Sequence, residues 1–259
     1  MAIKDKYPRP CRYDLSHARW QRIHNLLPGK PSDPGRTAAD NRQFVNAVLW
    51  VLRSGARWSD LPPRYGPYKS VHKPFNRWAG QGIWEHVFQA LTRDRDNEYL
   101  MIDSSIVRAH AATGKGGAPD SALGRSRGGL STKIHLAVDG QGRPVRFLLT
   151  GGQRNDITQA PALLAGFKPQ YVLAGKGYDS RELVALIQTQ GTEAVIPPRS
   201  CQQPRPYDKP RSRLRNRIEC CFARLKQYRR IATRLDRKPV HFLAFLYLPF
   251  RIFLLFRLL

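Results

Sequence analysis

The sequence predicts an α/β protein, a mixed sheet with helices packed on it, preceded by a small all-α segment. Three observations predict it. Apolar residues recur at helical spacing through much of 12–91. From residue 99 short apolar or alternating runs take over, bounded by turn residues, as strands are. Helix caps and stops then alternate with those runs until a long, very basic helix closes the series. The division falls at 1–97 for the helical part and 98–259 for the sheet part. A hydrophobic content of 41% over 259 residues is enough for a real core.

In the helical part, 12–27 carry Leu15, Trp20, Ile23, Leu26 and Leu27 near helical spacing, with Asp14 or Ser16 as cap. A linker rich in Pro and Gly follows. Residues 40–53 predict a stronger amphipathic helix, with Asp40 at its start and Gly55 as its stop. A third helix runs from a Ser70 cap through Trp78, breaks at Gly80 and resumes over 83–91. Such short helices with a basic, aromatic segment between them suggest a helix-turn-helix-like DNA-binding module. Its surface candidates are Lys69, His72, Lys73, Arg77 and Trp78, and the alternative is a purely structural helical cap.

In the sheet part, Tyr99–Ile102 reads as a buried strand delivering Asp103 at its C-terminal edge. A loop rich in Gly and basic residues follows, which could cradle phosphate through Lys115, Arg125 and Arg127, though its spacing fits no Walker motif. Residues 131–140 and 144–152 make a hairpin. Then come a short helix (159–166), a strand (171–174), a helix capped by Ser180 and ended by Gly191, a strand (193–196), and the basic helix (211–235). Ribonuclease H-like architecture has this order, and it gathers acids from the first strand, the fourth strand and the final helix.

Charge narrows the partners. Lys and Arg number 44 against 19 acids, a net +25 with a pI near 10.7, which makes a polyanion such as nucleic acid the default partner. Cys11, Cys201, Cys220 and Cys221 form no CxxC pair and have no zinc-finger histidines, so reduced thiols in a cytoplasmic protein are expected. The greasy stretch 241–259 is interrupted by Pro249, Arg251 and Arg257, so a core helix is expected there and no membrane span.

The basic helix holds the informative acid. Ile218, Cys221, Phe222 and Leu225 make its apolar stripe, while Arg215, Glu219 and Lys226 share a neighbouring face. Between Arg199 and Lys238 there are 14 basic residues and three acids, so Glu219 stays ionised there, suited to holding a metal beside DNA phosphates. Taken alone, Asp103 could cap a turn, and Arg215–Glu219 could be a surface pair worth ~0.5 kcal/mol.

The segments RQFVNAVLWVLRSGARWSDLP, IDSSIVRAHAA, ALGRSRGGLSTKIHLAVD, LTGGQRNDITQAPALL, GKGYDS, EAVIPPRS and NRIECCFARLKQYRRIATR span nearly the whole chain in order. In these segments the chain resembles bacterial insertion-sequence transposases of the DDE type, in the IS-five group. The resemblance implies a ribonuclease H-like catalytic half, and cleavage and strand transfer at element ends with Mg²⁺ (or Mn²⁺). It also implies double-stranded DNA as partner, at terminal inverted repeats and target, and a homodimer. Asp103 matches the first acid and Glu219 the third, as metal ligands; Arg215 and Lys226 match the basic partners of the glutamate. The second acid lies just before the Lys-Gly-Tyr-Asp run, where this chain has Gly175, and Ser212 stands where the family has a Tyr. The implied reading is a transposase impaired at Gly175, and the alternative is a catalytically inactive DNA-binding protein. Lys69, Lys73, Arg77, Arg125, Arg127 and Lys176 are the expected DNA contacts; Asp139 and Asp156 are the other acids that could complete the site, whereas Asp179 is expected at the start of the following helix as a cap.

Overall fold

The structure is a computed structural model that describes residues 13–35, 37–114, 121–199 and 206–249. Its early helices start and stop where local chemistry puts them. α1 (His17–Ile23) is capped by Ser16, whose hydroxyl accepts the Arg19 amide. α2 (Asn41–Ser54) is capped by Asp40 accepting the Gln43 amide at 2.8 Å. It ends at Gly55 in the left-handed region, φ 69°, where a Cβ would also come within 2.8 Å of Arg229 Cβ. α3 (Tyr68–Gly80) starts earlier than expected, after Pro67; Ser70 does not cap it, because its hydroxyl donates back to the Pro67 carbonyl at 2.6 Å. Gln81 and Gly82 join α3 to α4 (Ile83–Leu91).

The sheet is built on β1 (Tyr99–Ala109). The expectation of a strand ending at Ile102 is corrected: β1 continues to Ala109, with Asp103 in its middle. The cause is its long antiparallel partner β3 (Gly129–Asp139), after the short β2 (Gly124–Ser126), which holds β1 in register from Leu100↔Asp139 to Arg108↔Ser131. β4 (Pro144–Gly151) adds antiparallel to β3. After α5 (Ala160–Leu164), β5 (Tyr171–Ala174) lies parallel to β1; after α6 (Arg181–Thr189), β6 (Glu193–Val195) lies parallel to β5. The strands thus run β4, β3, β1, β5, β6 across the sheet, with the directions of a ribonuclease H-like sheet. The expected Gly-rich loop carries structure at its end: β2 pairs with the start of β3 across the turn at Arg127–Gly128.

The expected single helix over 211–235 is corrected too. It divides into α7 (Lys209–Arg213), α8 (Asn216–Lys226) and α9 (Arg229–Ala232), and then β7 (Thr233–Arg234) pairs with the end of β1. The break carries Arg234 inward. Its side chain is fully buried and donates to the carbonyls of Asp236, Ala122, Ser121 and Arg237 and to the Thr132 hydroxyl. A straight helix could not deliver it to β3. Beside it Arg230, 5% exposed, pairs with the buried Asp236 at 2.8 Å.

Side chains alternate across β1, so the sheet has two cores. Met101 and Val107 face a core shared with α2, α3, α4, α8 and the last helix, α10 (Pro239–Tyr247); Leu100 and Ile102 face α5 and α6. The helical segment and the sheet therefore share one core. At its centre Phe75 of α3 stacks on Phe245 of α10 at 4.5 Å. The described part of the greasy stretch forms the core helix α10, while 250–259 lie outside the described residues; among the described residues no helix is long and apolar enough to cross a membrane.

Candidate active site

The parallel pairing of β1 and β5 puts two positions side by side. Their last paired rung is Ile102↔Ala174, so Asp103 and Gly175 follow it on neighbouring strands. α8 crosses this face on its buried stripe of Ile218, Cys221, Phe222 and Leu225, which points Arg215 and Glu219, one turn apart, toward β1. Arg215 Nη1 donates to Asp103 Oδ2 at 2.8 Å, and Nη2 donates to Glu219 Oε1. A Cβ at Gly175 would stand 3.7 Å from Arg215 Nη1. One guanidinium is thus surrounded by Asp103, Glu219 and the bare backbone of Gly175. Solvent reaches all three side chains: Arg215 is 28% exposed, Asp103 23% and Glu219 50%.

Burial pushes the Asp103 carboxyl up, and the neighbouring charges of Glu219 and Asp156 add to that. The Ser104 amide, 2.8 Å from Oδ1, and Arg215 act against it. The Ser104 amide and, after it, Arg215 thus hold back a carboxyl that burial pushes up.

The other acids are committed elsewhere. Asp139 closes the β3–β4 hairpin, accepting the Gln141 and Arg143 amides at 3.0 and 2.9 Å and pairing with the Arg143 side chain. Asp179 is buried and accepts the Arg199 amide at 2.8 Å, so it anchors the segment after β6 rather than starting α6. Asp156 pairs with Lys133 at 2.8 Å. Lys133 and His135 alternate with apolar residues along β3, and on the rung Ser104↔His135 they lie on the face of β1 opposite Asp103. Burial holds the His135 imidazole down at about 4, while a ring nitrogen bonds the Thr150 hydroxyl at 2.8 Å. This buried polar row was missed from the sequence, although its period-two polar residues inside the run 131–139 were the available signal.

The remaining candidates are scattered. Lys69, Lys73 and Arg77 are exposed and share one side of α3 at i, i+4 and i+8. Trp78 is not a surface residue: it packs against Phe44 and Trp84 at 4.8 and 5.3 Å, because Val71, Phe75, Trp78 and Ala79 are the buried stripe of α3. His72 turns inward onto Trp58. Arg125 and Arg127 are exposed on the β2–β3 hairpin. Lys176 is exposed in the turn after Gly175, whose carbonyls at Lys176 and Gly177 accept from the Arg199 guanidinium. Lys226 is exposed two turns from Glu219 along α8. Lys115, Cys11 and Cys201 lie outside the described residues; Cys221 is buried and burial pushes its thiol up.

Residues 95–252 match the family described as Transposase DDE domain, and residues 15–88 match a putative transposase family of the IS4/5 group. The chain belongs to the DDE-domain transposase family. It is 35% identical over 123 residues to a putative transposase for insertion sequence element IS6501 of Brucella ovis, a match covering 46% of this chain and 94% of that protein. An uncharacterized protein, y4sN, of Sinorhizobium fredii is 43% identical over 96 residues, 37% of this chain and 77% of that one. A piggyBac transposase synaptic complex overlaps 73% of this chain and 48% of that one at 14% identity, with a TM-score of 0.40. The protein is thus an insertion-sequence transposase, and members of its family generally use divalent metal.

The donor set does not fit a two-metal centre. Two ions ~3.5–4 Å apart need carboxylates around both. Here the two remaining acids share a guanidinium, the third position has no side chain, and among the described residues no group of three His, Cys, Asp or Glu could hold a metal ion.

Proposed function

We propose that this transposase binds double-stranded DNA at the ends of its element and at a target, and that its cleavage and strand-transfer step is impaired by Gly175. Asp103 and Glu219 are the acids of the site, Arg215 and Lys226 their basic partners, and Lys69, Lys73, Arg77, Arg125, Arg127 and Lys176 the DNA-contacting cations. The observation that carries the reading is the Arg215 guanidinium, which bonds both acids beside an empty third corner.

A guanidinium and a divalent ion both neutralise carboxylates, but only the ion polarises a phosphoryl oxygen or lowers the pKa of a bound water. Arg215 cancels one of the two carboxylate charges, which lessens the repulsion of DNA phosphates, yet the pair lacks the means to activate one for attack. Three acids around Mg²⁺ (or Mn²⁺) is the family's arrangement, and joining two DNA ends calls for a homodimer. The alternative is a DNA-binding protein of transposase descent with no chemistry.

The test is cleavage of a labelled element-end duplex with Mg²⁺ or Mn²⁺ by this chain and by Gly175→Asp. Gly175 has extended backbone, φ −78°, and the new Cβ meets Arg215 at ordinary contact distance, so the aspartate fits. Cutting by the Asp form alone supports the reading. Cutting by both means that another acid completes the site. Binding without cutting by either leaves the DNA-binding alternative.

A further inference from the structure

The outer strand β4 carries a second concentration of positive charge, two strands away from β1 by the register Arg146↔Ala137↔Ile102. A pocket of about 360 Å³ opens there between the end of α4, the turn at 92–95, β4 and Phe167. Arg93, Arg95 and Arg146 line it. The Arg146 and Arg95 guanidinium carbons lie 4.4 and 4.9 Å from the centroid of the Phe167 ring. Arg146 Nη1 donates to the carbonyls of Ala162, Leu163 and Ala165, and Arg95 Nε donates to the Asn97 side chain at 3.1 Å.

Every one of those acceptors is neutral. Among the described residues no carboxylate pairs with Arg93, Arg95 or Arg146, although Arg143, three residues from Arg146, is paired with Asp139. The acid on the pocket wall, Glu85, accepts from the Gln89 side chain instead. Burial and, after it, the nearby Arg95 pull the Arg146 guanidinium below its ordinary value. The ring and the helix-end carbonyls hold Arg95 and Arg146 in place before any ligand arrives, so an anion gains their charge at little ordering cost. The pocket is also roomier than a bare ion requires.

We propose that the Arg93–Arg95–Arg146 pocket binds a backbone phosphodiester of duplex DNA, as a contact separate from the acid pair of the candidate active site. The inference rests on DNA as the partner, and its test separates the two. Binding of a labelled duplex is titrated across salt for the full chain, Arg95→Gln, and the Arg93→Gln/Arg95→Gln pair, with thermal unfolding as the check on folding; Arg146 is left alone because it fastens α5. Each lost phosphate contact is expected to lower the slope of log K against log salt by about 0.9, with a several-fold loss of affinity near 0.1 M salt. An unchanged slope in a folded double variant overturns the pocket while the DNA reading stands. Failure of the unaltered chain to bind duplex overturns both. If inorganic phosphate at constant ionic strength raises the unfolding temperature of the unaltered chain only, while the DNA slope is the same in all, the pocket takes a small anion and the assignment to DNA is wrong.

Discussion

Arg234 and Arg215 leave the same segment of chain and end in opposite circumstances. Arg234 is buried and donates only to carbonyls and a hydroxyl, and burial lowers its pKa to about 10. Arg215 is 28% exposed and donates to two carboxylates that water reaches. Neutral acceptors inside a core have no other partner to take, so Arg234, with the Arg230–Asp236 pair beside it, fastens β7 to β3 permanently. Carboxylates at a surface can exchange one cation for another. The acceptors, not the arginine, decide which of them is structural.

The largest expected effect lies on the buried side. Arg230→Ala leaves Asp236 charged and unpaired in the core, and should cost about 3–5 kcal/mol in denaturant unfolding. Arg215→Ala, by contrast, should cost no more than ~1 kcal/mol, as exposed pairs do. Equal losses would erase the distinction.

The two faces of β1 can be told apart by pH. His135 has a folded pKa of about 4 against 6.5 unfolded, so the unfolded chain takes the proton first. Its contribution is whole above pH 6.5 and drains away as pH falls toward 4, at most about 3 kcal/mol. Urea unfolding across that window should flatten in His135→Gln. Asp103 shifts the other way: its pKa is raised, so its contribution is full at low pH and declines as pH climbs through its folded value. In Arg215→Gln the Asp103 carboxyl, followed by carbon NMR, should titrate higher still; a downward move would deny that Arg215 opposes the rise.

The exchange of cations itself can be sharpened at Gly175. Gly175→Asp adds a third oxygen donor beside Arg215, and Mn²⁺ at tenfold its dissociation constant should then stabilise the folded protein by about 1.4 kcal/mol. The unaltered chain should show no such shift. A shift of equal size in both would mean that the acid pair alone releases Arg215 for a metal.

Most local signals survived translation into structure, Ser70 at the start of α3 excepted, and long-range ones did not. Ser16, Asp40 and Ser180 cap helices as read, because a cap bonds an amide within three residues. Asp103 and Glu219 were marked as a pair by residue type and setting, but nothing local says that Arg215 bonds both, since Asp103 is 112 residues from it. The break in the basic helix depends on acceptors at Ser121, Ala122 and Thr132, so periodicity over 211–235 could not reveal it. The burial of Trp78 is legible in the sequence, because it shares the helical stripe of Val71 and Phe75.

The shared core also sets a schedule. Phe75 and Trp58 rest on Phe245 of α10, yet about 150 residues are synthesised after α4 before α10 emerges. At ~5–20 residues per second the early helices wait roughly 8–30 s for their last partner. During that interval their aromatic side chains have no lid, which makes the nascent chain a client for anything that shields apolar surface. Ribosome-arrested chains ending before Pro239 should be cut readily by protease within α3, and chains extended past Tyr247 by the length of the exit tunnel should resist; equal sensitivity would show that the helices close without α10.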